Sequence, residues 1–96
     1  MTDGKKSDKN KTNWSLVPWK EIEGLAECMT YGAIKYNENP LDPNWKKVDD
    51  GFNRYFSAFM RHLQAYRDGE KIDPESGLEH RKHLLFNAVC LSHFMK

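Results

Sequence analysis

The sequence predicts an all-α domain, a small bundle of three main helices. Two segments repeat apolar residues at i, i+3, i+4 and i+7, the period of an amphipathic helix. A third, "HLLFNAVCLSHF", is apolar nearly all round and reads as a central helix. No stretch alternates apolar and polar residues as a half-buried strand does, and there is no internal repeat.

Taken in order, residues 1–12, "MTDGKKSDKNKT", hold no large apolar side chain after Met1 and read as a disordered, lysine-rich tail. The domain proper is then 13–96. It opens with "NWSLVPWKEI", where Trp14, Leu16, Val17 and Trp19 are too apolar for a free linker. Pro18 suits a first helical turn, where its missing N–H has no partner to lose. Helix one spans about 19–36, with Ile22, Leu25, Ala26, Met29, Ala33 and Tyr36 as its buried stripe. "NENPLDP" ends it in a turn-rich loop over 37–43.

Helix two spans about 50–67. Asp49 or Asp50 can cap it, and Phe52, Tyr55, Phe56, Phe59, Leu63 and Tyr66 form an aromatic stripe that core packing explains. Helix three spans about 77–95, entered through an S-x-x-E capping box of Ser76 and Glu79. Two amphipathic helices cannot cover a third that is apolar on most faces. A chain of 96 residues is one domain with little core to spare, so a homo-oligomer, a dimer or higher, is expected to complete the bundle.

Composition narrows the function. A formal net charge of +1 gives no duplex nucleic-acid footprint. No apolar run approaches the roughly 20 residues of a membrane span. The polar start predicts no signal peptide, and Cys28 and Cys90, set in apolar helical patterns, read as reduced core thiols. A cytoplasmic protein is expected, in the host cytoplasm if phage-encoded.

The chemistry concentrates in "GEKIDPESGLEHRKHLLFN", residues 69–87. His80, His83 and Asn87 fall at i, i+3 and i+7, a polar line running into an apolar helix. Buried polar groups need partners, and the line starts beside Glu70, Asp73 and Glu75. Pro74 restricts the backbone at Asp73 and fixes where its carboxylate points. Asp73 and Glu75 with a helix histidine are candidate ligands for a hard divalent cation. Zinc's closely spaced Cys/His pairs are missing beyond one H-x-x-H. Lys35, Arg61 and His62 are candidate cations for phosphate. Trp45 either stacks on a planar ring or plugs the core.

These residues resemble a known family. "WSLVPW", "YGAIKY", "NW", "RYFSAFMRHLQAYRDGE" and "DPESGLEH", followed by a histidine and an asparagine, occur in this order in the phage and bacterial dATP/dGTP diphosphohydrolase N-terminal domain family. The resemblance covers roughly 13–96. It implies an all-α relative of MazG-type pyrophosphohydrolases, which use Mg²⁺ to cut between the α and β phosphates of a nucleotide. The E-x-x-E spacing of those enzymes is absent: helix one carries Glu21, Glu23 and Glu27 instead, so their ligand set does not transfer.

The resemblance implies a purine deoxynucleotide substrate and a magnesium-type cofactor, and its motif covers Lys35, Trp45, Arg61, His62, Glu70, Asp73, Glu75, His80, His83 and Asn87 without fixing their roles. From the residue chemistry, Glu70, Asp73 and Glu75 are the expected ligands for Mg²⁺ or Mn²⁺, and Asp73, Glu75 and His83 are the catalytic candidates. Lys35, Trp45, Arg61, His62, His80 and Asn87 are the substrate-binding candidates. A nucleotide-sequestering module, using the same cations and aromatics without turnover, and a purely structural helical module are the alternative expectations.

Overall fold

The computed structural model describes residues 4–36, 39 and 41–96. The expected tail is therefore described only from Gly4, and Asn37, Glu38 and Pro40 of the expected loop lie outside the described residues. Three α-helices carry the fold: α1 (Trp19–Tyr36), α2 (Gly51–Arg67) and α3 (His80–Phe94). Short 3₁₀ turns stand at Trp14–Leu16 and Asn44–Lys47. The all-α prediction holds, and among the described residues there is no strand.

Helix α3 lies between the other two, as its all-round apolar character requires. Tyr55 of α2 packs edge-on against Phe86 and stacks with Phe94 of α3, with ring centroids 6.1 Å apart in both pairs. Beside this contact Cys90 is fully buried. Gly51 begins α2 directly under Phe94, where a Cβ would clash with the Phe94 ring. Gly51→Ala should therefore destabilise the fold by about 1–3 kcal/mol, the usual cost of overpacking, and lower Tm by several degrees. An unchanged melting curve would contradict this packing.

Helix α1 docks through its small residues. Gly24 and Cys28 are its buried positions, and the aliphatic stem of Lys82 lies across Gly24. Ion pairs flank the contact, Lys82 with Glu27 at 2.6 Å and Arg81 with Glu21 at 2.9 Å. Part of the expected stripe is consequently turned outward: Ile22 and Tyr36 are exposed, and so is Ala26. On α2 the face toward α3 runs through Gly51, Tyr55, Ala58 and His62, leaving Phe52, Phe56, Leu63 and Tyr66 exposed. Trp14, Leu16 and Trp19 are exposed as well.

The entrance to α3 differs from the expected capping box. Glu79 is the N-cap residue, without a side-chain cap bond, and α3 begins at His80 rather than near 77. Ser76 is drawn away by Asp73, whose Oδ2 accepts from both the Ser76 amide (3.1 Å) and hydroxyl (2.7 Å). Asp73 also donates its amide to the Leu78 carbonyl, and Gly77, at φ +74°, closes the turn by donating to the Asp73 carbonyl. A carboxylate three residues before a serine is a turn former as well as a cap signal, and here the turn wins. Asp50 does precede α2, but in a left-handed conformation with no cap bond of its own.

Candidate functional site

A cleft of about 200 Å³ opens where the three helices and the acidic turn meet. Helix α1 supplies Tyr31, Lys35 and Tyr36 to its wall, the 3₁₀ turn supplies Asn44 and Trp45, and α2 supplies Tyr55 and His62. The turn adds Asp73 and Glu75, and α3 adds His83, Phe86 and Asn87. Seven of the candidate residues thus line one cavity: Lys35, Trp45, His62, Asp73, Glu75, His83 and Asn87. Trp45 does not plug the core. It is half-buried on the cleft wall, edge-on to His93 at 5.1 Å.

Three candidates lie elsewhere. Arg61 is exposed and donates to the Ser57 hydroxyl along its own helix. Glu70 and His80 stand behind the wall, joined by a 2.7 Å bond between Oε1 and Nε2. The end of α2 places Glu70 there. Gly69, at φ +102°, donates to Tyr66 O, and Glu70 donates to Ala65 O, the paired bonds of a Schellman turn.

The three carboxylates of the turn are divided among three partners. Glu70 takes His80, Asp73 takes Ser76, and Glu75 takes the Lys35 ammonium at 2.7 Å. The three expected magnesium ligands, Glu70, Asp73 and Glu75, thus meet α3, the turn itself and α1 respectively. Among the described residues, the ligand atoms that gather within 4.8 Å of one another belong to His62, Asp73 and His80. Two imidazoles and one carboxylate form a mixed donor set, unlike the all-oxygen shell Mg²⁺ prefers.

Three of the four histidines, His62, His80 and His83, form a connected cluster. His62 and His83 lie face to face, with centroids 4.4 Å apart and planes 2° from parallel. His62 Nδ1 is 2.8 Å from His80 Nδ1. His83 Nε2 reaches the Ser76 hydroxyl at 2.6 Å, and that hydroxyl donates to Asp73. A hydroxyl has one proton to give, so His83 is the donor in its bond to Ser76, which leaves His83 Nδ1 as an acceptor. Asn87 donates to the His83 carbonyl, which satisfies it within the helix.

Burial opposes charge here. It pushes His62 down to about 4, with His83 and His80 adding to the effect, and it lowers His83 as well. Burial alone would raise Asp73, but the hydrogen bonds from Ser76 hold it below the ordinary carboxylate range. For His62 the sign follows directly. The unfolded chain binds a proton near pH 6.5 that the folded chain refuses until about 4, so folding stability is complete above 6.5 and falls as pH drops toward 4. Since the site is partly open to water, the loss should be on the order of 1–3 kcal/mol between pH 7 and 4.5. Urea unfolding of chelator-treated protein at the two pH values measures it, and a flat profile would contradict it.

The whole chain, residues 1–96, matches the family described as dATP/dGTP diphosphohydrolase, N-terminal. The chain belongs to that family. No curated protein and no solved structure matches it. As a dATP/dGTP diphosphohydrolase N-terminal domain, it shows where the family-type segment "GEKIDPESGLEHRKH" lies. That segment forms the turn and first α3 turn that bound the cleft. No helix among the described residues is long and apolar enough to cross a membrane.

Sequence reasoning missed Ser76 as part of the site, having assigned it to the capping box. The D-x-x-S spacing at Asp73 and Ser76 was the available signal. Tyr31, Tyr36 and Tyr55 were missed too, because an aromatic on a helical stripe looks the same whether it faces a core or a cleft.

Proposed function

We propose that this domain hydrolyses purine deoxynucleoside triphosphates between the α and β phosphates, with a divalent cation as its cofactor. One observation carries the reading. A single cleft combines a cation, aromatic walls and a hydrogen-bonded histidine, in a chain whose family is named for dATP/dGTP hydrolysis. The aromatic rings of Trp45 and Tyr36 suit a planar base. Lys35 offers its ammonium to the phosphates by exchanging its surface partner Glu75, a modest cost because both side chains are well exposed.

His83 then acts as general base through Nδ1. The Ser76–Asp73 chain fixes its tautomer and orientation. Water gives a proton to His83 and its oxygen to the α phosphorus. The bond from that phosphorus to the bridging oxygen breaks, and the products are a nucleoside monophosphate and pyrophosphate. The divalent cation, when bound, offsets phosphate charge.

A nucleotide panel with Mg²⁺ or Mn²⁺, read by chromatography, tests the proposal. Monophosphate and pyrophosphate from dATP or dGTP are expected. Recovery of unmodified nucleotide from a tight complex would overturn hydrolysis and establish a sequestering protein instead.

Oligomerisation belongs to the same proposal. Phe52, Phe56, Leu63 and Tyr66 leave an apolar face exposed along α2, and exposed faces of this kind mark interfaces. Light scattering at micromolar concentration should give at least the mass of a dimer, and a monomer mass would refute it.

A further inference from the structure

We propose that His62, His80 and Asp73 form a resident transition-metal site, of the manganese, cobalt and zinc class, where α2, the acidic turn and α3 meet. The inference stands apart from the proposed hydrolysis, since the site can be filled whether or not a nucleotide is cut.

Geometry carries it first. The three ligand atoms lie within 4.8 Å of one another, and the two Nδ1 atoms are 2.8 Å apart. Neighbouring nitrogens on one tetrahedral metal, each about 2.1 Å from it, stand roughly 3.4 Å apart, so the two rings must separate by about half an ångström to admit an ion.

The tautomers agree. Glu70 accepts from His80 Nε2 at 2.7 Å, which in the neutral ring puts the proton on that nitrogen and leaves the lone pair on Nδ1. His80 Nδ1 therefore faces His62 as an acceptor, and a proton of His62 fills the gap between them in the metal-free chain. A metal ion would take the place of that proton. A carboxylate behind a ligating imidazole is the common way in which proteins orient such ligands. Glu70 matches that role, held in position by the Schellman turn at the end of α2. Asp73 is fixed in turn by the Ser76 amide and hydroxyl.

Burial also argues for a ligand role. His80 is only 2% exposed, although it opens α3 beside the charged Arg81 and Lys82. A buried imidazole held to a carboxylate on one side and to a second imidazole on the other is an unusual arrangement for packing alone, where an apolar side chain would serve. The donor types select the ion. Imidazole suits zinc, cobalt and manganese, whereas Mg²⁺ seeks oxygen and keeps its water.

The test uses the full chain, stripped with chelator and titrated calorimetrically at pH 7.5 with Co²⁺, Zn²⁺, Mn²⁺ or Mg²⁺ in turn, with melting temperature as a second readout. One equivalent of Co²⁺ or Zn²⁺ per chain is expected, together with a raised Tm, and Mg²⁺ should bind at least about tenfold more weakly. His62→Ala should abolish saturable binding. Glu70→Gln, a change at a half-exposed carboxylate that leaves all three ligands in place, should weaken it about 10–100-fold. His93→Ala, at an exposed histidine outside the cluster, should bind like the parent. The proposal is overturned if no transition metal binds saturably, if Mg²⁺ binds as tightly as Zn²⁺, or if Glu70→Gln binds like the parent. The last comparison decides the matter even if His62→Ala does not fold.

Discussion

Asp73→Asn should lower nucleotide hydrolysis by about 100-fold or more, the scale on which loss of a metal ligand or of general-base positioning is felt. Two losses coincide at this residue. The cleft loses the carboxylate that gathers with His62 and His80. The bond chain that orients His83 through Ser76 also loses its charged end. Asparagine keeps the shape and one carbonyl acceptor, so the turn should survive at a cost of about 1 kcal/mol, the worth of one weakened hydrogen bond. Steady-state rates and urea unfolding of the same preparation separate the two effects. An active Asp73→Asn enzyme would remove Asp73 from the chemistry. A variant that unfolds spontaneously would show that the carboxylate serves the turn alone.

His83→Ala is the companion, with a different signature. General-base catalysis contributes about 10²–10⁴-fold, so hydrolysis should fall by that order while nucleotide binding persists. Unlike Asp73, His83 is buried, with its ring flat against His62 and its Nε2 on Ser76. Its removal leaves a small void and a hydroxyl with one partner fewer, which should cost about 1–3 kcal/mol. His83→Gln restores a hydrogen-bond partner for Ser76 without restoring a base. It should recover much of the lost stability and none of the lost rate. Equal recovery of both would assign His83 to the core.

Much of this was legible in the chain itself. The limits of α1, read from Pro18 and the 3.6-residue period, agree with the structure at Trp19 and Tyr36. The polar line His80, His83, Asn87 was legible because buried helices rarely carry such residues, and all three are buried. Which face of α1 turns inward was not legible. Ranking by hydrophobicity favoured Ile22, Ala26 and Tyr36, but close approach of α3 favours the small Gly24 and Cys28. The partners of the acidic turn were equally hidden. Glu70, Asp73 and Glu75 are close in sequence, yet one side chain meets α3, one the turn itself and one α1. Pairing across distant segments leaves no local trace.

The two buried thiols make the domain its own unfolding gauge. Burial pushes Cys28 up to about 11 and Cys90 up to about 12, so neither presents a thiolate to a labelling reagent near neutral pH. Cys28 sits in the seam of α1 with α3, and Cys90 beside Tyr55 in the seam of α2 with α3. A disulfide reagent can therefore modify Cys90 only when its seam opens, whereas Cys28, 2% exposed at the cleft wall, gains full access when α1 shifts from α3. The two modification rates, followed by mass spectrometry without any engineered label, report whether α1 peels away before the α2–α3 pair or all three helices part together.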